Sequence, residues 1–210
     1  GLKKTRNPIK KLAKFIRANW FIPDARRGWV PYVVKAANAL IETEAIAAII
    51  TTGPPHSTHL AGLQLKAATG LPWIADFRDP WVDIYYNAFL PRTRATKKKD
   101  KALQDAVLRQ ADLVLTVSDG LAEKLGKTAQ QTATIYNGYD QADFKETAPP
   151  SDRHFRVHYI GNLKANQNPT ALWEAISRLR EKQADFKAAF RLAFTGNIDP
   201  SVSAELNEYG

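Results

Sequence analysis

The sequence predicts an α/β fold, in which helices cover both faces of a parallel β-sheet. Short apolar runs alternate with helix-periodic segments along most of the chain. These runs end in glycine, proline or small polar residues, which is typical of buried strands. Strands and helices that alternate at this spacing favour a parallel sheet. The 210 residues, 44% of them hydrophobic, are enough for one domain and part of a second.

The first predicted element is a basic amphipathic helix from Asn7 to Trp20. Its apolar residues recur mostly every three or four positions: Ile9, Leu12, Ala13, Phe15, Ile16 and Trp20. Nine lysines and arginines stand against one aspartate in the first 27 residues, a net charge of +8. We expect the apolar side to pack on the sheet and the basic side to add attraction to an anionic membrane.

The elements that follow alternate regularly. A second helix is predicted at 32–42, and then the strand 45–51, which is apolar up to its last residue and is therefore expected to be buried on both faces. Helix 58–68 ends at Gly70, whose type favours a helix C-terminus. The remaining elements are strand 72–77, helix 97–110, strand 112–117, helix 119–126 and strand 132–136.

A second domain is predicted to begin after a polar, proline-containing linker. We expect a partial first domain at 1–145, a linker at 146–153 and the beginning of another domain at 154–210. Strand 154–160, a helix from Pro169 to Lys182 capped by Asn168, and strand 189–194 form one βαβ unit. Such a unit is too small to close a hydrophobic core by itself.

Several classes of protein are disfavoured by what the sequence lacks. It has no cysteine, which excludes disulfides and thiolate chemistry and suits a reducing cytoplasm. No apolar run reaches the length of a membrane-spanning helix, and the first 20 residues do not resemble a signal peptide. The glycine-rich patterns of dinucleotide dehydrogenases and phosphate-loop ATPases, and the nucleophile pattern of α/β-hydrolases, are absent.

Metal binding and nucleic-acid binding are also disfavoured. His56 and His59 have a spacing that suits metal ligands, but no cysteine or acidic third ligand follows nearby, so we predict no metal site. The basic first segment could attract nucleic acid. Its aromatic residues, however, fall on the apolar side of the helix, where they cannot alternate with the basic ones for base stacking. We therefore predict no nucleic-acid partner.

Unusual residues follow three of the predicted strands. Ligands of open parallel sheets bind outside the carboxyl ends of the strands, so these residues are the candidate site. They are Gly53, His56 and Ser57 after the first strand, Asp76, Arg78, Asp79 and Trp81 around the end of the second, and Ser118 after the third. Glycine permits a close backbone approach, serine can cap the following helix, and carboxylate, guanidinium and aromatic groups together suit a sugar. An ordinary strand-to-helix turn and a structural Asp–Arg bridge are the alternatives.

Five segments in order resemble one enzyme family: TGPPHSTHLAGLQLK, PWIADFRDPW, ADLVLTVSDGLAEKL, IYNGYDQADF and YIGNL. They resemble the family-four-like glycosyltransferases of the GT-B type, which have two Rossmann-like domains facing across a cleft. The resemblance implies an acceptor on the first domain, a nucleotide diphosphate sugar on the second, transfer with retention, and no metal or other cofactor.

Carried onto this chain, the resemblance implies roles for particular residues. Asp79, Arg78 and His56 are expected to be catalytic. Asn137 and Gly138 would mark the crossing between the domains, and Gly161 and Asn162 would meet the donor phosphate. The substrate-binding set is completed by Gly53, Ser57, Asp76, Trp81 and Ser118.

Two departures from the family qualify this expectation. The chain starts beyond the family's first strand and glycine-bearing loop, and it has no two glutamates separated by seven residues, the pair that grips the donor. We therefore expect a glycosyltransferase fragment, inactive alone, whose parent uses a glycan or lipid-linked acceptor. Its expected place is the cytoplasm, at the inner face of the cytoplasmic membrane. A noncatalytic nucleotide- or glycan-binding module is the alternative.

Overall fold

The computed structural model describes residues 7–144 and 154–209. The chain divides into two compact units, Gly1–Asp140 and Gln141–Gly210. The predicted linker at 146–153 lies outside the described residues, and the boundary between the units falls a few residues before the predicted end of the first domain. Each unit is described by itself below.

The first unit contains a parallel sheet of four strands in the order β1-β2-β3-β4, which confirms the predicted fold class. Helices separate the strands as the periodicity indicated, and the bounds differ from the predicted ones by a few residues. The elements are α1 Pro8–Trp20, α2 Val30–Thr43, β1 Ile49–Gly53, α3 Ser57–Thr69, β2 Trp73–Phe77, α4 Arg94–Gln110, β3 Leu113–Thr116, α5 Asp119–Gly126 and β4 Thr132–Thr134. Short 3₁₀ turns lie at Arg27–Trp29 and Tyr85–Phe89.

The core of this unit lies on one face of the sheet. Trp73, Ala75 and Phe77 of β2 lie in one hydrophobic cluster. This cluster also includes residues on or next to α4 and α5: Val107, Leu108, Ala111, Leu121 and Leu125. The expectation that β1 is buried on both faces is wrong. Successive residues of a strand point to opposite faces, and in β1 Thr51 is buried while Ile50 is 66% exposed.

Helix α1 begins within one residue of its predicted start, and the Asn7 side chain caps it by accepting hydrogen bonds from the backbone N–H groups of Ile9 and Lys10. The helix is attached to the unit through its last turns. The side-chain amide of Asn19 donates to the carbonyl of Pro91 (2.8 Å), and its oxygen accepts from the backbone N–H of Thr93 (2.9 Å) and the hydroxyl of Thr96 (2.7 Å).

The apolar side of α1 does not pack on the sheet, contrary to the prediction. Ala18 is the buried residue of the helix, whereas Ile9 is 76% exposed and Trp20 66% exposed. Consecutive helix residues are turned by about 100°, so Ile9, Ile16 and Trp20 lie opposite Ala18. The hydrophobic period predicted the helix correctly, but the polar contacts of Asn19 determine which side meets the protein.

The second unit is built around a parallel pair of strands, β5 Phe155–Ile160 and β6 Phe190–Thr195. Helix α6 Thr170–Lys182 connects them, followed by a short helix α7 Ala184–Ala189, and α8 Pro200–Glu208 follows β6. The periodicity predicted β5, α6 and β6 but neither α7 nor α8. Pro169, not Asn168, occupies the cap position of α6, because the Asn168 side chain instead accepts a hydrogen bond from the Trp173 indole (2.7 Å).

Candidate functional site

Arg78 occupies the centre of the exposed rim at the carboxyl ends of β1 and β2. Its backbone N–H donates to the carbonyl of Gly53 (3.1 Å), which continues the pairing of the two strands beyond β2. Its guanidinium lies 3.7 Å from the carboxylate of Asp76 and donates a hydrogen bond to the side-chain carbonyl of Asn137. Four predicted site residues from the ends of three strands are thus in contact, and the guanidinium remains about half exposed.

The rim continues past β3 with Ser118, which is exposed beside the start of α5. The hydroxyl of Tyr136 donates to the carboxylate of Asp119 (2.5 Å), and this bond lowers the pKa of Asp119. Tyr136 precedes Asn137 and Gly138, which are both exposed. The segment expected to mark the crossing between domains is therefore held against the end of β3.

His56 lies behind this rim, on the covered face of the sheet. It is 7% exposed, its ring stacks on Trp81 (centroids 5.1 Å apart), and neither ring nitrogen has a hydrogen-bond partner of good geometry among the described residues. Burial lowers the pKa of the imidazole, and the nearby Asp24, Pro80 carbonyl and Asp79 offset this only in part. The ring is therefore neutral and does not face solvent.

His59 is fully buried next to His56. Its Nδ1 lies 2.9 Å from the hydroxyl oxygen of Thr51, which also accepts a hydrogen bond from the Trp73 indole (2.9 Å). Burial lowers the pKa of His59 to about 3, with a smaller contribution from His56. A side chain at Gly53 would place its Cβ 2.6 Å from His59 Nε2 and 3.0 Å from His56 Nδ1. Glycine is thus required at this position for packing against the two histidines.

The prediction that the Ser57 side chain caps helix α3 is wrong. The capping group is the carboxylate of Asp24, which accepts from the backbone N–H of Ser57 (2.8 Å) and from its hydroxyl (2.9 Å). Ser57 is fully buried. The N-terminus of α3, considered as a place for an anionic or hydroxyl-rich ligand, is therefore occupied by a carboxylate of the chain itself.

Trp81 is part of the core rather than a surface for sugar stacking. It is 3% exposed, and its indole N–H donates to the carboxylate of Asp100 (2.8 Å). Arg92 pairs with the same carboxylate (2.5 Å) and donates to the carbonyl of Pro23 (3.2 Å). Burial raises the pKa of Asp100, and the bonds from Trp81 and Arg92 counteract it. These bonds fix the loop that carries the rim.

The residues that hold this loop were difficult to predict from sequence. Asp100 lies within a lysine-rich segment of α4 that is typical of a solvent-exposed surface, yet the Asp100 side chain is buried. Gln104, one turn further, accepts from the backbone N–H of Val82 (3.0 Å). One sequence pattern could have revealed their burial. Asp100 and Gln104 are four positions apart and lie on the same side of α4 as Val107 and Leu108.

In the second unit, Gly161 and Asn162 follow β5 and are exposed at the carboxyl end of the strand. The same Gly-Asn pair follows β6 as Gly196 and Asn197, which the sequence analysis did not single out. The Asn197 amide donates to the side-chain oxygen of Asn162 (3.0 Å). Both glycines have positive φ, and a Cβ at Gly196 would lie 2.1 Å from the carbonyl oxygen of Gly161. The two turns therefore form one surface.

The family model described as a glycosyl transferase 4-like domain matches residues 11–138, more than half of the chain. The chain belongs to the glycosyl transferase 4-like family. No curated protein matches the chain.

The matched part of the glycosyl transferase 4-like domain includes most of α1, the four-stranded sheet and the whole Arg78 rim. The family assignment confirms the resemblance drawn from the five sequence segments, and it supports a transferase that uses a sugar donor and an acceptor. It gives the class of reaction but not the identity of either substrate.

Over residues 7–144 and 154–209, histidine and acidic side chains never gather in groups of three that could hold a metal ion. Within the same ranges, every helix is too short or too polar to cross a membrane.

Proposed function

We propose that this chain forms the acceptor-binding part of a retaining glycosyltransferase, together with the beginning of its donor-binding part. The donor is a nucleotide diphosphate sugar, and the acceptor is a glycan or a lipid-linked sugar. The observation that carries the proposal is the placement of Arg78 between Asp76 and Asn137 at the carboxyl ends of the strands. An exposed guanidinium flanked by a carboxylate and an amide suits a ligand rich in hydroxyl groups or phosphate.

Asp79 is the second residue of the proposed acceptor site. It is exposed, and its carboxylate is close enough to Tyr86 to raise the pKa of that phenol, in addition to the effect of burial. In the reaction, the bond between the anomeric carbon and the diphosphate oxygen breaks, and its electron pair leaves with the diphosphate. The acceptor oxygen bonds to the anomeric carbon on the face that the diphosphate leaves, and its proton passes to an oxygen of the departing diphosphate. Asp79 accepts a hydrogen bond from the attacking hydroxyl and fixes its direction.

The donor diphosphate is proposed to meet the Gly161-Asn162 turn of the second unit, where the absence of a side chain at Gly161 lets an oxygen approach the backbone. Asn197 holds the side chain of Asn162 through its hydrogen bond and is therefore a positioning residue. No metal or cofactor is needed for this scheme, since positioning and hydrogen bonds stabilise the departing diphosphate.

A noncatalytic binding module remains the second candidate, and one observation favours it. His56, which the family resemblance places in the catalytic set, is buried with its ring stacked on Trp81, so it does not reach the rim. In the transferase proposal, His56 supports the rim from behind. The binding module would use the same rim for recognition and would release no product.

The test is transfer by the natural full-length protein from a panel of nucleotide diphosphate sugars, with calorimetric binding measured in parallel. The transferase proposal expects release of nucleotide diphosphate and a glycosylated acceptor, both decreased at least tenfold by Asp79→Asn. Binding of a nucleotide sugar or a glycan without turnover for any donor would instead establish the binding module. Neither binding nor turnover would reject both.

A further inference from the structure

The exposed side of α1 forms an apolar stripe, by which we mean Ile9, Leu12, Ile16 and Trp20. Leu12 is 60% exposed and Ile16 is 42% exposed, and Ile9 and Trp20 at the two ends of the stripe are more exposed than either. A helix that is docked through Ala18 and Asn19 presents this stripe away from the unit. Burying such side chains is favourable, so an arrangement that leaves four neighbouring ones exposed favours a covering partner.

The charge around the stripe indicates what that partner is. Lys10 and Arg17 lie along one edge of the stripe, about a quarter of a turn from its centre line, and both are exposed. A second copy of the chain would bring these cations against their own equivalents. An apolar stripe with cations along one edge instead complements a bilayer whose lipids carry negative headgroups.

A second exposed apolar group lies beside α1. The 3₁₀ turn Tyr85–Phe89 carries Phe89, which is 59% exposed, and the ammonium group of Lys14 donates to the carbonyl of Phe89 (3.3 Å). The turn belongs to the same loop as Arg78 and Asp79, and Asp79 acts electrostatically on Tyr86 within it. The stripe, the turn and the rim are therefore consecutive parts of one surface.

We propose that α1 and the Tyr85–Phe89 turn lie together in the interface of an anionic bilayer, so that the Arg78–Asp79 rim receives an acceptor whose lipid tail stays in that bilayer. This assignment rests on the proposed transferase function for its acceptor, but the membrane surface itself does not depend on catalysis. It selects the lipid-linked acceptor over the free glycan.

Sedimentation of the full chain with vesicles, in the absence of donor and acceptor, tests the surface. We expect binding to vesicles with about one third phosphatidylglycerol, weak binding to pure phosphatidylcholine, and release at high salt. Each cation removed lowers the partition coefficient about fivefold, so the K10E/R17E variant loses more than 20-fold. The matched control, K127E/K187E, makes a similar charge change at exposed lysines outside α1 and binds within about fivefold of the wild type.

The apolar stripe is tested by a second pair of variants. Ile9→Gln, Leu12→Gln and Ile16→Gln together remove exposed side chains, so folding is retained while vesicle binding falls at least tenfold. Leu40→Gln, Leu172→Gln and Leu179→Gln alter exposed leucines elsewhere and leave binding unchanged. In a Trp29→Phe background, brominated lipids quench Trp20 fluorescence, since the other tryptophans, Trp73, Trp81 and Trp173, are buried, and adding Trp20→Phe largely removes the quenching.

Several outcomes would overturn the proposal. Equal binding to neutral and anionic vesicles, or equal binding by the stripe variant, would show that the surface is not the one assigned. Lipid-free dimers in analytical ultracentrifugation that dissociate in the stripe variant would assign the stripe to a second copy. Anionic-vesicle binding by a full-length protein that transfers no sugar would refute the transferase function and leave the membrane surface intact.

Discussion

The carboxylate of Asp24 binds both the backbone N–H and the hydroxyl of Ser57, at 2.8 and 2.9 Å. This contact joins the loop after α1 to the first turn of α3, across 33 positions of sequence. Asp24 also acts electrostatically on His56 and Asp100, which lie on either side of the loop carrying the rim. One carboxylate thus connects the first helix, the start of α3 and the candidate acceptor site.

Replacing Asp24 with alanine is predicted to lower the free energy of unfolding by about 2 kcal/mol, because a helix cap and a buried serine lose their partner together. Urea denaturation of the full chain measures this. The control Asp83→Ala removes the exposed ion pair with Lys124 (3.0 Å) and costs about 0.5 kcal/mol or less. Equal losses in the two variants would show that the cap adds nothing.

Two glycine substitutions are predicted to have effects of opposite sign. Gly53→Ala places a methyl group 2.6 Å from His59 and destabilises the chain by about 1–3 kcal/mol. A methyl group added at Gly120, within α5, would have no neighbouring atom within 4 Å. Gly120→Ala therefore stabilises the helix by up to about 1 kcal/mol. Thermal denaturation of both variants checks the contrast; a neutral Gly53→Ala would mean that the histidine pair can move aside.

The buried histidines predict a stability that depends on pH. The pKa of His59 is about 3 in the folded chain, below the value of about 6.5 expected on unfolding, so between these values the unfolded chain binds more protons. Stability therefore falls as pH decreases from about 6.5 towards 3. His59→Gln is expected to flatten the melting temperature profile between pH 7 and 5. His158→Gln, at an exposed position of the second unit, should keep the wild-type slope.

Arg78→Ala in the full-length protein is predicted to lower kcat/KM for sugar transfer about 100-fold, or about 2.7 kcal/mol, with little change in melting temperature. Arg78→Lys should recover little of the activity, because an ammonium group cannot contact Asp76 and Asn137 as a planar guanidinium does. Arg109→Ala is the control, since Arg109 is exposed and pairs only loosely with Asp105 (3.9 Å). A parallel loss of stability and activity at Arg78 would indicate a structural bridge.

The order of strands and helices was predictable because hydrophobic period and turn residues are local signals. Gly70, for example, has the positive φ that its type favours and ends α3 as expected. The parallel sheet then follows from the alternation, and it brings Gly53, Asp76 and Arg78 to one rim without further information.

Side-chain direction and distant partners were not predictable in the same way. The period of α1 defines an apolar side but not whether that side faces the protein, which the bonds of Asn19 decide. Trp81 was expected on the surface because its position follows a strand, but Asp100, 19 positions away, binds its indole. Such contacts depend on how whole elements pack, and short sequence windows contain no record of them.

The close approach of Gly196 to the carbonyl of Gly161 limits what sequence comparison can reveal about the second unit. Any other residue at 196 would collide with the backbone at 2.1 Å, so selection for folding alone would retain this glycine, even in relatives that had lost the reaction. Asn197 has no such steric requirement, since its contribution is a side-chain hydrogen bond to Asn162. The asparagine, rather than the glycine beside it, is the position whose evolutionary history would distinguish active from inactive relatives.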